Sequence, residues 1–173
     1  MKPSFFTTYV FQNTRLAWFW FLVRVYLGWE WLSAGYEKII NPVWVGSNAG
    51  GALTGFIKGA LLKTSGLHPD VQGWYASFLS HMVLPHAYVW SHFVAVGEVL
   101  VGLGLIVGCL TTTAAFFGFF MNLNYLLSGT VSVNPILLIL SLGIMLSRGV
   151  AARYGFDYYV MPKVKKSLAI RGD

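Results

Sequence analysis

Four stretches of the chain are apolar at nearly every position, with more polar segments between them. The first runs from Leu16 to about Ile40 and is interrupted by Arg24 and Glu30. The others cover about His86–Val107, Thr112–Ser128 and Asn134–Arg148. A helix crossing ~30 Å of hydrocarbon needs about 20 residues. The pattern therefore predicts membrane spans near 16–40, 86–107, 112–128 and 134–148. Asn134 as N-cap and Pro135 at the first helical position give the last span a start signal. The expected fold is all-α, a polytopic membrane four-helix bundle in which residues 1–150 form one domain and residues 151–173 a basic tail. Lys2 and Arg15 ahead of apolar Leu16–Val23 also suit a signal peptide. However, Arg24 and Glu30 follow directly and no A-x-A site appears, so an uncleaved helix is expected.

The long loop at 41–85 has its own periodicity. Gly51, Gly55 and Gly59 recur every fourth residue, so a helix there carries a glycine stripe, expected to allow a close backbone approach. Pro69 and Asp70 signal a second start, and Val71, Trp74, Tyr75, Phe78, Leu79 and Met82 follow at amphipathic spacing up to Pro85. The loop is expected to form two short interfacial helices that cap the bundle from outside, with Trp44, Trp74 and Tyr75 at the boundary with water.

Charge sharpens this picture. Charged residues make up only 10% of the chain, and between Val71 and Ser147 Glu98 is the sole Asp, Glu, Lys or Arg. A soluble surface is usually about 25–35% charged, so soluble enzymes, nucleic-acid-binding modules and disordered chains are excluded. The net charge of +6 is a topological signal. Lys2, Arg15, Arg148, Arg153, Lys163, Lys165, Lys166 and Arg171, eight of the twelve basic residues, flank the bundle at the two termini. By the positive-inside rule both termini are cytoplasmic, in a prokaryotic inner membrane, with the basic tail on anionic lipid. Nucleic acid is not an expected partner, whereas homo-oligomerisation is left open.

Ionisable residues at membrane depth mark the candidate site, because a charge at the bilayer centre costs at least ~2.5–3.5 kcal/mol. Counting depth from the end of each predicted helix puts Arg24, Glu98, Asn122 and Asn124 in one layer near the midplane. The simplest arrangement is an Arg24–Glu98 ion pair with the amides of Asn122 and Asn124 around it. Glu30 is expected to line the outer half of the same cavity, or to pair with Lys38 or another loop group. Such a layer either locks the helices in register or forms the polar floor of a pocket for a small anion or a quinone head group. The histidines His68, His81, His86 and His92 lack the depth or spacing for haem or a metal site. With the single cysteine Cys109 there is no disulfide or CxxC motif. No nucleotide or flavin fingerprint appears.

The pattern Arg24-x3-Gly28-x2-Trp31-x3-Gly35-x2-Lys38 resembles the opening signature of the DoxX/DoxD family of small membrane proteins. Asn41-Pro42-x-Trp44-x-Gly46, the Gly51–Gly59 segment and His68-Pro69-Asp70-x-Gln72-Gly73-Trp74-Tyr75 are similar to it as well. So are Gly97-Glu98-x2-Val101-Gly102, Met121-Asn122-x-Asn124 and Gly129-Thr130. The resemblance implies a membrane subunit of a quinone-linked oxidoreductase acting on a small sulfur compound such as thiosulfate. It also implies a separate partner subunit and quinone as the exchangeable electron acceptor. On that reading Arg24 holds an anionic oxygen or the quinone carbonyl, and Glu98 orients Arg24 and exchanges protons. Asn122, Asn124 and Glu30 contact the bound molecule, while Trp44, Trp74 and Tyr75 shape a lid. Two further readings stay open: a non-enzymatic assembly or scaffold subunit, and a small permease for a sulfur-containing anion.

Overall fold

The computed structural model describes residues 7–170, with side chains as far as Lys163. Lys2 and Arg171, and the side chains of Lys165 and Lys166, therefore lie outside the described residues. Among the described residues all regular structure is helical. After short turns at Thr8–Gln12 and Thr14–Leu16 come α1 (Ala17–Ile39), α2 (Pro42–Val45), α3 (Gly51–Leu61) and α4 (Gly73–Phe78). Then follow α5 (Ala87–Val107), α6 (Thr111–Leu127), α7 (Asn134–Ala151) and α8 (Phe156–Ile170).

The long helices α1, α5, α6 and α7 pack side by side around Trp20, Leu27, Trp31, Val101, Leu105, Ala115, Leu137 and Ile144. Small residues set how they fit. A Cβ on Gly102 would meet the backbone of Leu32 at 2.5–2.7 Å, and one on Gly35 would meet the Val99 nitrogen at 2.7 Å. Glycine lets α1 and α5 touch backbone to backbone, and this contact fixes their antiparallel register. Gly118 on α6 leaves room for the Trp31 indole, and Gly143 on α7 for that of Trp20.

The outward faces are apolar. Leu22, Trp29 and Tyr36 on α1, Phe93 and Leu100 on α5, Phe117 and Phe120 on α6, and Ile136 and Ile139 on α7 are all more than half exposed. Among the described residues two helices are long and apolar enough, by length and composition, to cross a membrane, Gly73–Val107 and Asn134–Ala151. The first is one continuous helix because Pro85 does not end it. The chain passes from α4 through a wide turn at Leu79–Val83 and a tight turn at Leu84–His86 into α5. Proline lacks an N–H and is tolerated where the preceding ladder is already broken.

The 41–85 loop folds over one end of the bundle around Leu53, Ile57, Ala60, Val71, Tyr75, Leu79 and Val83. Its glycine stripe does not face the bundle, since a Cβ at Gly55 or Gly59 would meet nothing within 4 Å. Burial of the branched side chains Leu53 and Ile57 removes more apolar area from water than burial of glycine, and it decides which face turns inward.

At the other end, Asp157 clasps the α5–α6 corner. Its carboxylate accepts the Leu110 and Thr111 N–H groups, both at 2.7 Å, and its own N–H donates to Gly108 O at 2.8 Å. A carboxylate here satisfies N–H groups that the start of α6 leaves without intrahelical partners. Asp157→Ala should lower stability by about 0.5–2 kcal/mol, with Asp157→Asn losing less. Thermal unfolding of the detergent-purified variants measures this.

Candidate functional site

Glu98 lies on the face of α5 turned toward α1 and α6 and is only 1% exposed. Each of its oxygens has one partner. Lys38 Nζ donates to Oε2 at 2.7 Å, and the Tyr125 hydroxyl donates to Oε1 at 2.5 Å. Lys38 reaches Glu98 from the last turn of α1, three residues beyond Gly35, whose contact with Val99 and Glu98 sets the level. The Lys38 ammonium also sits 5.2 Å from the centre of the Trp44 ring, a cation–π contact. This ion pair is the sole salt bridge among the described residues. A lone carboxylate so deeply buried would be costly. One cation and one phenol donor balance its charge and fill both oxygens.

These three residues line a cleft of about 330 Å³. Trp31, Trp44, Phe56 and Leu137 wall it, and Glu30, Thr130 and Asn134 bring polar atoms to its side. It is a largely apolar cleft whose lining includes a hydrogen-bonded carboxylate, ammonium and phenol. Such a cleft can hold a flat ring and exchange protons with it.

Of the residues expected at the site, the structure gathers Glu30, Glu98 and Trp44 in this cleft. It corrects the expected Arg24–Glu98 pair. Gly35 on α1 is level with Glu98, whereas Arg24 lies against Gly108 at the far end of α5. Eleven residues of α1 separate the two levels, about 16 Å. The depth count failed because Leu16–Val23 projects past the end of α5, so the two helices have different origins. Arg24, fully buried, donates from Nη2 to Tyr154 O at 2.8 Å and stacks 5.4 Å from the Phe21 ring centre. There it faces the carbonyl end of α5, where a cation is favourable.

Asn124 does not reach the cleft. Its Oδ1 accepts from the Tyr75 hydroxyl at 3.0 Å, and its Nδ2 donates to Phe120 O at 2.7 Å. Trp74 is exposed and packs edge-on against Tyr75. Tyr75 and Asn124 therefore bolt the 41–85 loop to α6, and Trp74 lies outside the cleft. Asn122 is fully buried one turn before Tyr125, and neither its Oδ1 nor its Nδ2 has a partner. The Trp31 Nε1, against Gly118 on the same helix, is also unpartnered. Buried polar atoms are usually hydrogen-bonded; of these two exceptions, Trp31 lines the cleft and Asn122 does not.

Sequence reasoning missed Tyr125, Trp31 and Asn134, and it considered Lys38 only as a partner of Glu30. Tyr125 stands three residues after Asn122, on the same helical face, and that spacing was the available signal.

The profile of one protein family, described as “TQO small subunit DoxD”, matches residues 19–171. No curated protein and no solved structure matches this chain.

Proposed function

This chain belongs to the DoxD family, the small subunit of thiosulfate:quinone oxidoreductase, and from that premise we propose that the cleft over Lys38, Glu98 and Tyr125 is where quinone is reduced. The family's reaction is quinone-linked, and a small subunit works with a partner subunit. The observation that carries the assignment is the buried Lys38–Glu98–Tyr125 network beneath aromatic walls. The cleft suits the group in size and chemistry. Small-molecule pockets are typically about 300–1,000 Å³, largely apolar, with few polar groups.

Quinone, when bound, accepts electrons released by thiosulfate and takes up protons at its carbonyl oxygens. The chain does the rest. Trp31, Trp44 and Phe56 hold a ring flat and exclude water. The Tyr125 hydroxyl would pass a proton toward the ring, and the proton that replaces it would come from the Lys38 ammonium by way of the Glu98 carboxylate, which is bonded to both. Lys38, 18% exposed, links buried Glu98 to the cleft mouth and renews the proton from solvent. Arg24 leaves the catalytic set and fastens α1 to the turn between α7 and α8 through Tyr154 O.

In this reading all four long helices cross the inner membrane of a prokaryote with both termini cytoplasmic. The cleft and the 41–85 loop then lie on the outer side. The test is thiosulfate-dependent reduction of a quinone analogue in membranes carrying the partner subunit, with and without this chain. Reduction that needs the chain supports the assignment, and equal rates reject it.

Asn122 gives a further check. Asn122→Leu removes two unpartnered buried polar atoms while keeping the volume, and it should stabilise the ligand-free protein by about 1–3 kcal/mol. Because Asn122 is fully buried and does not line the cleft, the same change should leave KM for the quinone analogue nearly unchanged. Thermal unfolding and steady-state kinetics read the two effects separately.

A further inference from the structure

A second cavity, of about 300 Å³, lies at the end of the bundle opposite the Glu98 cleft, between the N-terminal turn and the end of α7. Arg148 and Arg153 line it, with Gln12, Thr14, Ser147 and Tyr158 as further hydrogen-bonding groups and no carboxylate. Neither guanidinium has an ion-pair partner among the described residues. The nearby acid Asp157 is committed, with both oxygens held by the Leu110 and Thr111 N–H groups. The nearby cation Arg24 gives its Nη2 to Tyr154 O, leaves Nε and Nη1 buried without a partner, and does not line this cavity. The backbone is unusual at the same point. Arg148 interrupts α7 with φ 33° and ψ −106°, a conformation that any residue with a Cβ disfavours and that tends to occur at functional sites.

One wall of this cavity continues into a lipid-like surface. Ile136, Ile139, Leu142 and Leu146 are exposed on successive turns of α7, and Leu146 lines the cavity itself. The stripe is about 15 Å long and ends at the two arginines. An arginine fork matches a phosphate bidentately, and basic pockets between membrane helices suit anionic headgroups. We propose that this cavity binds the phosphodiester headgroup of an anionic phospholipid of the inner leaflet, with its acyl chains along the α7 stripe. The stripe favours a lipid over free phosphate. The absence of a carboxylate in the lining disfavours headgroups that carry an ammonium. A bound lipid would tie the N-terminal turn to the end of α7. The proposal rests on α7 being a membrane span and is independent of the quinone site.

The test is native mass spectrometry of the detergent-purified full chain, titrated separately with phosphatidylglycerol, phosphatidylcholine and inorganic phosphate. Phosphatidylglycerol should bind more tightly than phosphatidylcholine, and millimolar phosphate should not displace it. R148Q/R153Q should weaken phosphatidylglycerol binding about 30-fold, or about 5-fold per cation, while R148K/R153K, which keeps the charge and loses the fork, should weaken it less than the glutamine pair. Should the double variant fail to fold, R153Q alone, at a position with ordinary backbone, should show the 5-fold loss. Equal binding of the two lipids, displacement by phosphate, or unchanged affinity in the glutamine variants would each overturn the proposal.

Discussion

Glu98→Gln is expected to slow thiosulfate-dependent quinone reduction by about 10²–10⁴-fold, the usual contribution of a positioned proton-transfer group. Glutamine has nearly the shape of glutamate, and its carbonyl oxygen can still accept from Tyr125 or Lys38. What it loses is the ability to take up and give back a proton. The loss should fall on kcat more than on KM, because the walls that hold the ring are untouched. Lys38→Met separates this chemical role from a structural one. It leaves the Glu98 carboxylate buried without its cation, and breaking a buried pair costs about 3–5 kcal/mol. Lys38→Met should therefore unfold at lower temperature than Lys38→Met/Glu98→Gln, in which no uncompensated charge remains. If the double variant is both stable and fully active, the network is structural and the proton-transfer role is wrong.

Gly102→Val should have the largest effect on the fold. Its Cβ would lie 2.5 Å from the Leu32 nitrogen and 2.7 Å from the Leu32 Cα. Backbone cannot rotate aside as a side chain can, so α1 and α5 must separate. Overpacking costs about 1–3 kcal/mol, and a branched residue against backbone belongs at the upper end. In a chain of this size that lowers Tm by about 6–12 °C. Separation of α1 from α5 also withdraws Lys38 from Glu98, so activity should fall at temperatures where the protein is still folded. Gly55→Ala is the opposite control. Nothing lies within 4 Å of its Cβ, and alanine in a helix is favoured over glycine by about 0.5–1 kcal/mol. Unfolding temperatures of the two variants should move in opposite directions.

Glu98 could be singled out from the sequence because it is a lone charge in a long apolar run, and a lone charge at depth needs a partner. Which partner could not be read. Arg24 and Lys38 stand on the same helix, and the choice between them depends on how far α1 slides along α5. That offset is set by backbone contacts at Gly35 and Gly102. Composition reveals such glycines without revealing what they touch. Asn122 and Asn124 raise the same difficulty on α6. Both are polar and two residues apart, so they face different directions: one is buried and unpartnered, the other is engaged with Tyr75 and Phe120.

The sequence by itself determined the all-α character, the apolar outward faces and the family, since these depend on hydropathy, periodicity and local motifs along the chain. It also marked Arg24, Glu30 and Glu98 as the charges inside apolar stretches that need a partner or a role, because transfer of a charge out of water is costly wherever the charge ends up. Only the tertiary structure decided that Lys38 and Tyr125 complete the site, that Arg24 belongs to the opposite end, and that the glycine stripe of α3 faces away from the bundle. Those outcomes turn on helix register and rotation. Both are fixed by side-chain and backbone contacts between distant segments, and a one-dimensional pattern does not encode them.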